Sequence, residues 1–186
     1  VGGDEGQPGV ILRGGRGGLK LDGGAPTTGV LFKIWGTRDG ALTVVGAGGV
    51  VLRREPGSAW RSQPSLIPGN ERLFGVHGGA ASLIAVGGVG QGRVVDIDSN
   101  RLLETPSLRA LTGVWVSGDG AVLASGQGGQ LAYRPPGGAF AALPAVTEQD
   151  LHAVFGLPSG RRIAVGGNLS QLGVRTPTGV LLAEDP

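Results

Sequence analysis

Apolar residues in this chain arrive in short runs, each closed by glycine or a polar turn, and the runs recur in a fixed order. The first run appears as Leu31-Phe-Lys-Ile-Trp-Gly36, Leu73-Phe-Gly-Val-His-Gly78, Leu111-Thr-Gly-Val-Trp-Val116 and Leu151-His-Ala-Val-Phe-Gly156, with starts 42, 38 and 40 residues apart. A second run follows each after a polar turn: Leu42-Thr-Val-Val-Gly46, Leu83-Ile-Ala-Val-Gly87, Val122-Leu-Ala-Ser-Gly126 and Arg162-Ile-Ala-Val-Gly166. Its glycines recur at intervals of 41, 39 and 40. Two independent phrases that keep one period define a repeat of about 40 residues.

Each unit continues through a glycine-rich turn into a third run: Val50-Val-Leu-Arg53, Arg93-Val-Val-Asp96, Gln130-Leu-Ala-Tyr133 and Leu172-Gly-Val-Arg175. A weaker fourth run closes the unit: Ala59-Trp60, Arg101-Leu-Leu103, Ala139-Phe-Ala141 and Val180-Leu-Leu182. Runs of this length, bounded by Gly and Pro, read as strands. Asp39-Gly40 and Asp119-Gly120 stand where the first hairpin must reverse, and Asp-Gly supplies the positive φ that tight hairpins need. Pro158-Ser-Gly160 holds the equivalent place in the last unit. The second run is apolar almost throughout, which suits a strand covered on both faces.

Four short strands per 40-residue unit is the pattern of a β-propeller blade. The fold class expected is therefore all-β, a β-propeller of four-stranded blades with about 4.5 blades present, in one domain spanning 1–186. A partial blade covers 1–28, and whole blades cover approximately 29–69, 70–107, 108–147 and 148–186. In the partial blade, Val1-Gly-Gly3 ends a second strand, Val10-Ile-Leu-Arg13 is a third and Leu19-Lys-Leu21 a fourth. The last unit is expected to run through its fourth strand to Leu182. A blade buries its faces only against neighbours, and an open strand edge is a liability. The ring is thus expected to be larger, or completed by a missing N-terminal portion of the same gene product or by a protein partner. The chain alone is expected to self-associate. Trp35, His77, Trp115 and Phe155 share one column and are expected to be structural residues that fill the space between blades.

Composition then excludes several classes. Glycine supplies 39 of the 186 residues and proline 12, yet charged residues are only 16% and the formal net charge is +2, so the chain is not a disordered one. Each interior glycine costs a helix about 1 kcal/mol relative to alanine, which argues against helix. There is no Cys, which removes disulfides, a Cys-ligated zinc site and a thiol nucleophile. There is no Met and the first residue is Val1, so the chain is expected to be processed, trimmed or a fragment. No apolar run reaches the roughly 18 residues of a membrane span. Sixteen basic residues among fourteen acidic ones make a weak footprint for nucleic acid.

The order Val-Trp-Gly, Ala-Val-Gly, Gly-x-Ile-Leu, Gly-x-x-Trp resembles bacterial propeller repeats of the photosystem II assembly-factor type and the related BNR-like repeats. The stretch that carries it best is Ile34-Trp-Gly36 with Val44-Val-Gly46, Gly49-Val-Val-Leu52 and Gly57-Ser-Ala-Trp60. The resemblance covers nearly the whole chain, and its motifs specify blades rather than chemistry. It implies an assembly-factor or subunit role, and an extracellular, periplasmic or cell-surface location. Trp60 has no tryptophan counterpart in the other units, and Val116 stands where the other first runs end in glycine. The sialidase-type Ser-x-Asp-x-Gly-x-Thr-Trp box begins at Ser117-Gly-Asp-Gly120 and then fails, and no Trp-Asp dipeptide occurs.

Candidate chemistry is sparse. His77 and His152 lie in innermost strands, where packing competes with a channel-lining acid/base or metal role. Asp39 and Asp119 read as turn residues, and Glu148-Gln149-Asp150 as a solvated loop. Arginine recurs near the end of the third strand, at Arg13, Arg53, Arg54, Arg134 and Arg175, and could form an arc that holds a carboxylate-rich partner. Glycine runs such as Gly14-Gly-Arg-Gly-Gly18 lack the Lys-Ser/Thr and following helix of a phosphate loop. No catalytic, metal or cofactor residue is assigned. The reading is a non-enzymatic, protein-binding propeller module with no nucleic-acid partner. The alternative is a glycan-binding or glycan-hydrolysing propeller, which paired carboxylates among aromatics would favour.

Overall fold

A computed structural model describes residues 1–4, 7–22, 26, 29–69, 71–79, 82–157, 159–168 and 179–184. The first whole sheet is β3 (Leu31–Gly36), β4 (Leu42–Gly46), β5 (Val51–Arg54) and β6 (Arg61–Gln63), in that spatial order. The second is β7 (Leu73–Gly78), β8 (Leu83–Gly87), β9 (Arg93–Asp96) and β10 (Arg101–Leu102). The third is β11 (Leu111–Val116), β12 (Val122–Gly126), β13 (Leu131–Arg134) and β14 (Ala141–Leu143). Ahead of them β1 (Leu12–Gly15) pairs with β2 (Gly18–Leu21), and Gly2 bridges Val10, as expected of a partial blade. Each sheet is an antiparallel meander in chain order, and the innermost strands β3, β7, β11 and β15 (Leu151–Gly156) pack side by side. This is the blade architecture of a β-propeller.

The last unit departs from expectation. Gly179–Glu184, expected as a fourth strand, is β17, and it pairs directly with β16 (Arg162–Gly167) through Ala164↔Leu182 and Val165↔Leu181. Leu172–Arg175, expected as the third strand, lies outside the described residues. The position beside a second strand is covered on both faces in the other blades, and Val180-Leu-Leu-Ala183 is apolar enough for it. Fourth strands elsewhere carry residues such as Arg61 and Ser62, which face solvent.

Register divides each blade into two faces. One faces the preceding blade and holds Val44 and Leu52 in the first, Ala85 and Val95 in the second, and Ala124 and Ala132 in the third. The other faces the following blade and holds Val45 and Val51, then Val86 and Val94, then Ser125 and Leu131. The hydrophobic core is accordingly a set of clusters in the seams: Ile11 with Val44 and Leu52, Val45 and Val51 with Ala85 and Val95, and Val86 and Val94 with Ala124 and Ala132. Every second strand ends in a glycine pressed against its neighbour, and a Cβ on Gly87 would lie 1.8 Å from the Arg72 carbonyl oxygen.

A repeated irregularity was not legible in the sequence. Register shifts between Leu31 and Lys33, Leu73 and Gly75, Leu111 and Gly113, and Leu151 and Ala153. Each innermost strand therefore bulges at its second residue, which re-aims Phe32, Phe74, Thr112 and His152. Phe32 and Phe74 meet with centroids 5.2 Å apart, and the Thr112 hydroxyl donates to the Leu151 carbonyl across the next seam.

Candidate functional site

The ring column expected from the sequence forms the inner seams. Trp35 and His77 rings lie 6.0 Å apart, and Trp115 and Phe155 6.3 Å apart, both tilted. Trp35 lies over Gly78 and Trp115 over Gly156: a Cβ at those glycines would sit 2.7 and 2.4 Å from the indole carbons. Where the column holds the smaller His77, the following blade carries Val116 in place of glycine, and the Val116 N–H donates to His77 Nδ1 at 3.0 Å. The exception at Val116 is therefore paired with the exception at His77, and His77 is a packing residue with a backbone partner.

Burial, and then the positive charge of Lys33, push the His77 imidazole below its ordinary value of 6.5. The unfolded chain binds a proton at higher pH than the folded one, so stability falls as pH drops from 6.5 towards the lower folded value. Thermal melts should show a melting temperature that is level above about pH 7 and declines below it. His77→Phe should remove that decline; a decline that survives the substitution would exclude His77 as its source.

Arg53 and Arg54 reach across seams, and Arg134 makes its contacts within its own blade. Arg54 pairs with Asp22 and lies 4.8 Å over the Trp60 ring. Arg134, at the same register in the third blade, lies 5.5 Å over Phe140 and reaches the Gly120 carbonyl at 3.5 Å. Phe140 is thus the counterpart of Trp60. Arg53 crosses to Asp98 of the next blade at 3.1 Å. Arg13 matches the Arg53 register and is exposed, beside a cavity shared with Asp22 and Arg54. Arg175 lies outside the described residues. The two registers send Arg53 and Arg54 to opposite faces of their sheet.

The acids serve turns. Asp39 accepts from the Thr37 hydroxyl and Asp119 from the Ser117 hydroxyl, and these bonds hold both carboxyls below the usual range. Asp150 Oδ1 accepts from the Gly128 N–H at 2.8 Å. His152 Nε2 lies 2.7 Å from the Gly167 carbonyl of its own blade. Trp115, Tyr133, Phe155 and Arg162 surround a cavity of about 600 Å³ in which Asp119 is the one carboxylate among the described side chains. Glycoside hydrolysis uses a pair of acids.

The last blade presents a face that every earlier blade covers. The positions of Val165 and Leu181 correspond to Val45 and Val51 and to Val86 and Val94, all buried, whereas Leu181 is 69% exposed and Phe155 52%. At the other end Ile34 is exposed, although its equivalents Val76, Val114 and Val154 are buried. The blades form an open arc with an apolar face at each end.

No protein-family model matches the sequence, and no curated protein matches it. Solved structures do match. A virginiamycin B lyase from Staphylococcus aureus superposes with a TM-score of 0.65 at 11% identity, over 94% of this chain and 62% of that one. U3-55K superposes at 0.63 and 9% identity, over 93% and 54%. An extracellular domain from B. thetaiotaomicron, assigned to a one component system, superposes at 0.57 and 14% identity, over 78% of this chain and 22% of that one. This chain therefore spans less than two thirds of each of those proteins. The likeness establishes the β-propeller fold.

Proposed function

We propose that this chain is a non-enzymatic β-propeller interaction module that binds protein, and that its principal binding surface is the apolar face left open on the last blade. The carrying observation is the exposure of Val165 and Leu181, whose counterparts Val45 and Val51, and Val86 and Val94, are buried, together with that of Phe155, whose counterparts Trp35, His77 and Trp115 are half-buried. Contiguous exposed apolar surface of this kind marks an interaction site. The surface suits either a further propeller segment or a partner protein that completes the ring. A glycan reading is favoured less, since Asp119 is the one carboxylate among the described side chains of that cavity. The absence of a transmembrane-length apolar helix among the described residues and the extracellular neighbour are compatible with an extracellular or periplasmic setting.

Sedimentation of the purified chain tests the reading. Association should rise with concentration, and Phe155→Ser with Leu181→Ser should shift the protein to monomer while its circular dichroism stays unchanged. A wild-type chain that remains monomeric at all concentrations would sink the proposal.

A further inference from the structure

Each blade-to-blade linker crosses the outer part of a seam, and at the first two seams it leaves an aliphatic side chain inside. Ile67 is 6% exposed and packs among Val45, Val51, Ala85 and Val95; Leu108 is 4% exposed and packs among Val86, Val94, Ala124 and Ala132. The corresponding residues at the third seam are Ser125 and Leu131 on one blade and Ala164 and Leu182 on the other. There Val146 of the linker is 68% exposed. A cavity of about 340 Å³ remains, lined mostly by apolar residues, among them Leu123, Leu131, Leu143, Ala164 and Leu182, and by Arg162.

The first and third linkers differ at this turn, where Thr147 holds the place of Ile67 and Val146 that of the exposed Leu66. In the first linker Ser65 Oγ accepts from the Ile67 N–H at 3.3 Å and donates to the Ile67 carbonyl at 3.0 Å, a local turn that fixes Ile67 inward. Gly49 below it would bring a Cβ within 2.7 Å of the Ile67 side chain. In the third linker Ala145 follows Pro144 where Ser65 follows Pro64, so no hydroxyl can close that turn. Thr147 instead lies over the equivalent glycine, with its Cγ2 3.0 Å from where a Gly129 Cβ would stand.

We propose that this cavity is a docking pocket for one branched aliphatic side chain carried on an extended segment of a protein partner. The occupant is specified by the molecule itself: Leu131, Ala164 and Leu182 of this wall hold the register positions of Val51, Ala85 and Val95 and of Val94, Ala124 and Ala132, where the linkers place Ile67 and Leu108. An aliphatic anchor gains the area it removes from water without adding a polar group to a wall that is apolar apart from Arg162. The proposal rests on the protein-binding reading but uses a different surface from the open blade face.

The probe is a dye-labelled peptide copying residues 62–69 of this chain, titrated into the whole chain by fluorescence anisotropy, with methyl NMR shifts recorded for Leu131, Ala164 and Leu182. Saturable one-to-one binding is expected, weakened at least about tenfold when the isoleucine of the peptide is replaced by serine, the cost of losing one buried aliphatic side chain. Leu131→Glu should abolish binding, and the serine peptide on the unaltered protein covers the case in which that variant fails to fold. Phe155→Ser with Leu181→Ser should leave peptide binding intact, so loss of self-association and loss of peptide binding separate the two surfaces. Absence of saturable binding, equal affinity for both peptides, or binding removed by the open-face pair instead of by Leu131→Glu would each overturn the proposal.

Discussion

Replacing Gly156 with valine destabilises the protein by about 2–3 kcal/mol, the range of a side chain forced into a packed seam. A Cβ there would stand 2.4 Å from the Trp115 ring of the preceding blade, so the indole must shift to admit one. The chain contains the experiment's own control. At the neighbouring seam Val116 occupies the equivalent position without conflict, because the ring presented to it is His77. Trp115→His should therefore rescue Gly156→Val in part, although Trp115→His alone leaves a cavity and is itself destabilising. Residues in direct contact give coupling energies of about 0.5–3 kcal/mol, and the double variant should fall short of the summed single effects by about 1–2 kcal/mol. Urea unfolding of the two single variants and the double variant measures this. Strict additivity would show that ring size does not decide between glycine and valine.

That pairing also marks the limit of what the sequence discloses. The 40-residue period, the four-strand blade and the partial first blade were legible because they rest on local alternation and on turn residues such as Asp39-Gly40 and Asp119-Gly120. The ring column was legible for the same reason. Its consequence was not: Val116 looks like a departure from pattern until the ring of another blade, 39 residues earlier in the chain, is seen to face it. The different partners of Arg53 and Arg54 were hidden for a related reason. Adjacent residues in a strand point to opposite faces, so Arg53 and Arg54 enter different seams, one meeting Asp98 and the other Asp22 and Trp60. The strand beside β16 was hidden because the sequence offers two apolar runs for that place, Leu172–Arg175 and Val180–Leu182, and pairing shows that β17 takes it.

The linkers carry the second large effect. Ile67→Ala should cost about 2–4 kcal/mol, because truncating a fully packed aliphatic loses its transfer free energy and leaves a void between two blades. Leu108→Ala should cost a similar amount at the next seam. Val146→Ala should change stability by no more than about 0.5 kcal/mol, since its side chain stands in solvent. Sequence alone gives no reason for this contrast: all three are aliphatic residues shortly after a linker proline. The difference arises from Ser65, which closes the turn that directs Ile67 inward, and from Thr147, which takes the place over Gly129. Chemical denaturation of the three variants resolves the matter. If Val146→Ala costs as much as Ile67→Ala, the third seam is plugged by its own linker and has no room for a partner's side chain. If the cost is confined to the first two seams, the third blade carries a preformed apolar cavity that folding does not require to be filled, which is the property a docking pocket needs.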